Sequence, residues 1–260
     1  MHGARVDAVL AAQRKDLILA TLRSEGRIVA KDLAAELELS EDTIRRDLRE
    51  LAADGLLHRV HGGALPASPA VADFTARSAI GTGAKAEVAR AAAALVRPGQ
   101  TVAIDGGTTA RELARRLPAD LRATVVTHSP TIAVELATHP SVEVIIIGGR
   151  LFKHSVVASG AIAHEAIGRV SADVFFLGVT GIHPVTGLTT GDAEEAAIKR
   201  AWTERSAETY VLGSGEKIGA ASAFEVVPLS AVTAVLTDAA APERGVAELR
   251  AAGVDVRIAS

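Results

Sequence analysis

The sequence predicts an N-terminal winged helix-turn-helix followed by an α/β domain with a mostly parallel sheet. Three observations carry that expectation. Helical periodicities before residue 55 lead into a glycine-punctuated basic stretch, the order of a small three-helix unit with a β-wing. Beyond residue 80, short β-rich runs alternate with helical stretches, as in a parallel sheet covered on both faces. Between the two, LPASPAVADFTARSA has two prolines, small residues and no periodicity. The expected division is 11–66 for the first domain, 67–79 for a linker and 80–260 for the α/β domain. A chain of 260 residues is long enough for both.

The N-terminal elements follow in order. The first ten or so residues are expected to be unstructured. QRKDLILATLR places Leu17, Ile18 and Leu22 on one helical face, and Gly26 ends that helix. RIV reads as a short strand. AKDLAAELEL puts Leu33, Ala34 and Leu37 on one side of a second helix. Ser40 is a good N-cap for a third, and Ile44, Leu48 and Leu51 make its buried stripe. That stripe turns Asp42, Arg46, Arg49 and Glu50 outward, with Thr43 and Arg45 flanking, and leaves Asp47 at its edge. Gly55 stops the helix, and LLHRVHGGAL reads as a two-stranded wing around a Gly-Gly turn.

This concentration of arginine is a candidate for reading DNA. An exposed N-terminal half of a recognition helix enters a major groove. Arginine can fork onto guanine or clamp a phosphate. Arg59 and His61 on the wing would reach the flanking backbone. Net charge does not support the idea: the chain carries −3, and residues 1–63 hold 10 Lys and Arg against 11 Asp and Glu. The case rests on motif geometry, because a local patch acts within a Debye length of ~8 Å.

Composition sets further bounds. Hydrophobic residues make up 48% and charged residues 23%, the mix of a globular protein. Cysteine is absent, which excludes disulfides, a thiol nucleophile and thiolate metal ligands, and suits a cytoplasmic location. No apolar run nears the ~20 residues of a membrane helix, and no secretory leader pattern is present, so no membrane partner is expected. The eight histidines lack metal-ligand spacing, so neither a metal nor a cofactor is expected. Trp202 and Tyr210 read as packing residues, and no nucleophile elbow is present.

In the α/β part the β-rich runs are TVAIDGG, ATVVTHS, VEVIIIGG, DVFFLGVTGI, ETYVLGS, TAVLTD and VDVRIA. Helices are expected near 84–96, 109–117, 130–137, 161–170, 192–206 and 243–252. After the first run, Asp105, Gly106 and Gly107 turn and Thr108–Thr109 open a helix. Bare backbone N–H groups at a helix start can hold an anion. Gly149–Arg150 and Thr180–Gly181 end later strands on the same rim, where α/β sheets gather ligands. Glu194, Glu195 and Lys199 have helical spacing and read as a surface ion pair or as ligand contacts.

The N-terminal motif KDLAAELELSEDTIRRDLRELAADGLLHRVHGGA resembles the DeoR-type (GlpR-like) repressors, with Thr43, Ile44, Arg45, Arg46 and Asp47 on the recognition helix and Arg59, His61, Gly62, Gly63 and Ala64 in the wing. The resemblance continues over nearly all of 80–240, through Asp105–Thr109, Gly148–Gly149, Phe176–Gly178, Glu195–Lys199 and the turn ending at Lys217. It implies a fold similar to ribose-5-phosphate isomerases and CoA transferases. It also implies a DNA-binding regulator, most simply a repressor of a carbohydrate operon, that binds a double-stranded operator as a homodimer or higher homo-oligomer. A phosphorylated sugar would be the effector: the Gly-Thr-Thr loop would hold its phosphate, Lys217 would add charge, and Asp105 would bind a sugar hydroxyl or fix the loop. Three departures stand out: Gly106 for a common serine, His128 for a usual asparagine, and Ser214 for an aspartate before Lys217. The alternatives are a sugar-phosphate isomerase with a DNA-binding appendage, whose base would be Asp105 or Glu195, and a DNA-bound scaffold that has lost its ligand.

Overall fold

Ser40 begins the helix that matters most to the N-terminal unit. In the computed structural model, which describes residues 2–68 and 74–259, its side chain accepts a hydrogen bond from Thr43 N at 3.2 Å. The unit comprises α1 (His2–Glu25), β1 (Ile28–Val29), α2 (Ala30–Glu36), α3 (Glu41–Ala53), β2 (Leu57–Val60) and β3 (Gly63–Pro66). Ile44, Leu48 and Leu51 of α3 are buried with Ile18, Leu22, Leu33 and Leu57 in one apolar cluster. Gly55, at φ 72°, takes the left-handed position that ends α3. Asp47 is also buried and pairs with Arg14 of α1, which ties α3 to the first helix.

Two local expectations change. Helix α1 starts at His2, through residues expected to be unstructured; between Gly3 and Gly26 the chain has neither glycine nor proline and is rich in strong helix formers. The wing turns at His61–Gly62, and Gly63 already belongs to β3. Gly63 is required by close approach: a Cβ there would fall 1.8 Å from the carbonyl oxygen of Ile28, with which β3 pairs through β1. A Gly63→Ala variant should therefore lose about 1–3 kcal/mol and separate β1 from the wing, checked by chemical denaturation.

The α/β part contains α5 (Thr82–Ala93), β4 (Thr101–Ile104), α6 (Thr108–Arg115), β5 (Thr124–Thr127), α7 (Pro130–Leu136), β6 (Glu143–Ile146), β7 (Arg150–Phe152), β8 (Val157–Ser159), α8 (Ala161–Ile167), β9 (Ala172–Gly178), β10 (Gly181–His183), β11 (Gly187–Thr190), α9 (Ala193–Glu204), β12 (Ser206–Leu212), β13 (Phe224–Val227), β14 (Ala234–Thr237), α10 (Glu243–Ala251) and β15 (Val256–Ile258); α4 (Phe74–Ser78) precedes them. Seven parallel strands form the main sheet in the order β15-β14-β12-β9-β4-β5-β6. Period-two alternation sends Phe176 to one face with Leu113 and Ile132, and Phe175 to the other with Trp202 and Ile167. The chain runs outward from β4 to β6, then returns to build the other half from β9. The switch point lies between β4 and β9, where open α/β sheets leave a crevice at the strand ends.

The β7–β8 hairpin, β11, β13 and α4 lie outside the expected elements. DVFFLGVTGI is two strands, because β10 leaves the main sheet to pair with β11. Within 67–79, expected as a linker, Ala67 bridges to Ala221, Ser68 is buried, and Phe74 N donates to His154 O at 3.0 Å at the start of α4. Residues 69–73 fall outside the described residues. No helix among the described residues is long and apolar enough to cross a membrane.

Candidate functional site

The buried stripe of α3 leaves Arg45, Arg46 and Arg49 on the outer face. They are not equivalent. Arg45 Nη2 donates to Glu41 at 2.6 Å, one turn earlier. Glu50 is taken by Lys15 of α1 at 2.6 Å. Arg46 and Arg49 form no hydrogen bond or ion pair with the described residues, so their guanidinium forks are available. Arg59 and His61 are exposed on β2 and the wing turn. Ser40 and Thr43 share a hydroxyl contact of 2.9 Å at the helix start.

The second site is an open-mouthed cavity at the β4/β9 switch point. Gly106, Gly107, Thr108, Thr109, Thr180, Glu195, Lys199 and Lys217 line it, so most of the expected effector residues converge. Three do not. Gly149 packs under Ser159 and Ala163, because VEVIIIGG runs to the sheet edge and away from the switch point. Arg150 is exposed and paired with Glu194 on the surface. Gly181 packs on Ala220 and Thr189, one residue past the lining. The surface pair expected among Glu194, Glu195 and Lys199 is not formed: Glu194 pairs instead with Arg150, and Glu195 and Lys199 are buried.

Asp105 lies fully buried beneath the loop and is the fixed point of the site. Oδ1 accepts from Gly106 N at 2.7 Å, and Oδ2 accepts from Gly178 N at 2.8 Å and from Lys199 Nζ at 2.5 Å. It therefore clamps the end of β4 to the end of β9. Burial alone would raise its carboxyl; the Lys199 ammonium and then the His128 imidazole outweigh that and hold it far below the usual carboxylate range. Burial likewise opposes the Lys199 charge, but Asp105 and Glu195 reverse it and raise the ammonium. Trp202 Nε1 donates to His128 Nδ1 at 3.1 Å, which leaves Nε2 to carry the proton 3.3 Å from Asp105 Oδ1.

The structure adds Arg77, Lys85, Ser155, Thr190 and Glu216 to the lining. Nothing local in the sequence singles them out; they come from α4, α5, the β7–β8 turn, β11 and a short 3-10 turn at Gly215–Lys217. Lys217 Nζ donates to the Leu212 carbonyl at 3.0 Å, and Lys85 Nζ to the carbonyls of Arg77, at 2.5 Å, and of Ile80. Each buried ammonium is thus bonded to neutral oxygens only. Burial pushes Lys217 down to about 8 and lowers Lys85 as well.

Residues 14–69 match the model of the DeoR-like helix-turn-helix domain, and residues 81–239 that of the DeoR C terminal sensor domain. The chain belongs to the DeoR family of DNA-binding transcriptional regulators. It is 34% identical to the HTH-type transcriptional regulator GlpR of Haloferax volcanii, over 95% of this chain and 98% of the relative. It is 31% identical to a putative aga operon transcriptional repressor of Escherichia coli O157:H7, over 94% and 93%. It is 32% identical to the glycerol-3-phosphate regulon repressor of Escherichia coli K12, over 88% and 92%. A solved ribose 5-phosphate isomerase from Methanocaldococcus jannaschii aligns with 49% of the chain and 50% of its own at 16% identity and a TM-score of 0.36, too low to bear on activity.

Two departures from the DeoR pattern now have physical accounts. A Cβ on Gly106 would lie 2.2 Å from Val157 Cγ1, so Val157 fills the volume a serine would need. The His128 ring, where the resemblance leads one to expect asparagine, accepts from Trp202 and lies with Nε2 3.3 Å from Asp105 Oδ1.

Proposed function

We propose that this DeoR-family protein is a repressor of a carbohydrate operon, controlled by a phosphorylated sugar in the cavity and acting in the cytoplasm. The division into 11–66 for operator binding, 67–79 as connection and 80–260 for sensing is part of the proposal. The observation that carries it is the cavity's charge. Lys85 and Lys217 are buried against carbonyls beside the N-terminus of α6, and with Glu216 acting on both only at longer range neither has an ion-paired counter-anion among the described residues, at the place where backbone N–H groups favour one. A phosphate supplies it. The relatives named as repressors of the glycerol-3-phosphate regulon and the aga operon point the same way.

Binding is favoured over isomerase catalysis because the candidate bases are occupied. Asp105 serves three donors, and Glu195 accepts from Thr190 Oγ1 at 2.6 Å and faces Lys199. A path toward the DNA-binding unit also exists. Thr180 Oγ1, on the cavity wall, contacts Ser222 Oγ at 2.7 Å; the neighbouring Ala221 bridges to Ala67, which directly follows β3 of the wing. A ligand that binds two arrangements of this path unequally shifts operator affinity. Operator symmetry calls for a homodimer or a higher homo-oligomer.

The test is operator binding on the chain's own upstream DNA, titrated with phosphorylated sugars and their unphosphorylated parents. A shift caused by the phosphorylated compound alone is expected; DNA binding indifferent to every compound would refute the sensor reading. Lys217 adds a pH signature. Above pH 7 a phosphate monoester is already a dianion. Effector affinity should then fall about tenfold between pH 7 and 9 as the Lys217 ammonium loses its proton, and Lys217→Met should flatten the profile, both read by calorimetry. Stability moves oppositely: a lysine titrating lower in the folded than in the unfolded chain adds stability as pH rises from about 8 toward its unfolded value.

A further inference from the structure

Two carboxylates face the cavity, and they differ in remaining hydrogen-bonding capacity. Glu195 is engaged through both oxygens, by Thr190 at 2.6 Å and by Lys199 at 3.5 Å. Glu216 is engaged through one. Ser214 Oγ donates to its Oε1 at 2.7 Å, while Oε2 has no hydrogen-bond partner among the described residues, and the charge acts on the Lys85 and Lys217 ammoniums without an ion pair to either. The turn that carries Glu216 is pinned from behind, where Gly215 N donates to Asp238 Oδ2 at 2.6 Å. In front, the carboxylate faces Gly81, where even an added Cβ would sit 3.9 Å from Oε2, so no side chain covers it there.

An ionised carboxylate can only accept hydrogen bonds. In a cavity built for an anion, an open acceptor repels the ligand unless the ligand also brings a donor. We infer that Glu216 determines specificity: its Oε2 accepts a hydrogen bond from a ligand hydroxyl, and Ser214 is the residue that positions it. This rests on the sugar-phosphate reading and narrows it. The ligand is a phosphorylated polyol, with its phosphate at α6 and the lysines and a free hydroxyl at Glu216. A phosphorylated acid of the same size is rejected, because its carboxylate would oppose Glu216.

The experiment is calorimetric titration of the full chain with inorganic phosphate, glycerol 3-phosphate and 3-phosphoglycerate. The last two differ by exchange of a hydroxymethyl group for a carboxylate. The parent chain should bind glycerol 3-phosphate at least tenfold more tightly than 3-phosphoglycerate, although the acid carries more negative charge. Glu216→Gln should shrink that ratio below threefold while phosphate affinity holds, and Ser214→Ala should shrink it less. Equal binding of the two by the parent chain overturns the assignment without any variant. So does an unchanged ratio in Glu216→Gln with phosphate still bound, which leaves the phosphate site standing. Failure of all three probes, phosphate included, instead defeats the sugar-phosphate reading and this inference with it.

Discussion

Asp105→Asn should cost about 3–5 kcal/mol of stability, the loss typical of a buried ion pair stripped of one partner. Asp105 and Lys199 are both buried, 2.5 Å apart, and the carboxylate also holds the N–H groups of Gly106 and Gly178. Asparagine keeps one acceptor oxygen and turns an amide donor toward either an ammonium or a backbone N–H. Glu195, at 3.5 Å from Lys199, keeps a longer pair with it but holds neither the Gly106 nor the Gly178 N–H. Chemical denaturation measures the loss. If the single variant unfolds like the parent, Asp105 is not the clamp. The pH dependence has a defined sign. The depressed Asp105 carboxyl contributes stability above its unfolded value near ~3.9, which is lost as pH falls below it. The raised Lys199 contributes below its unfolded value near ~10.4, and that is lost as pH rises past its folded value.

Arg46→Ala should weaken operator binding by about 1–3 kcal/mol if Arg46 forks onto a base, with specificity relaxed at that base pair. If it holds only phosphate, the loss is uniform across sequences and the salt slope falls by about one. Arg45→Ala should cost less, because Arg45 must first leave Glu41, 2.6 Å away. Gel-shift titrations over several salt concentrations separate these outcomes. Full operator affinity in Arg46→Ala would assign that arginine to a solvated face. Stability should barely change, since Arg46 is exposed and bonds no described neighbour.

The N-terminal unit was legible because its signals are local. A capping serine, apolar residues at i, i+4 and i+7, and a stopping glycine lie within one helix of each other, and their physics is settled within a turn or two. The seven strands of the main sheet were legible for the same reason, as compact apolar runs. The β7–β8 hairpin, β11 and β13 were not: they are three or four residues each, and they pair with partners that no local pattern announces. Helix α4 was hidden because its five residues bury none of their own side chains.

By itself the sequence determined the order of elements, the arginine-bearing face of α3 and the Asp105–Thr109 loop, because each depends on neighbours along the chain. Only the tertiary structure decided which residues share the cavity. It took Gly149 and Arg150 away to the sheet edge and buried Glu195 with Lys199. It brought Arg77, Lys85 and Glu216 from separate segments to one opening. The physical reason is the sheet's switch point: where β4 and β9 become neighbours, residues more than seventy apart in sequence meet at the strand ends, and Asp105 bonds Gly178.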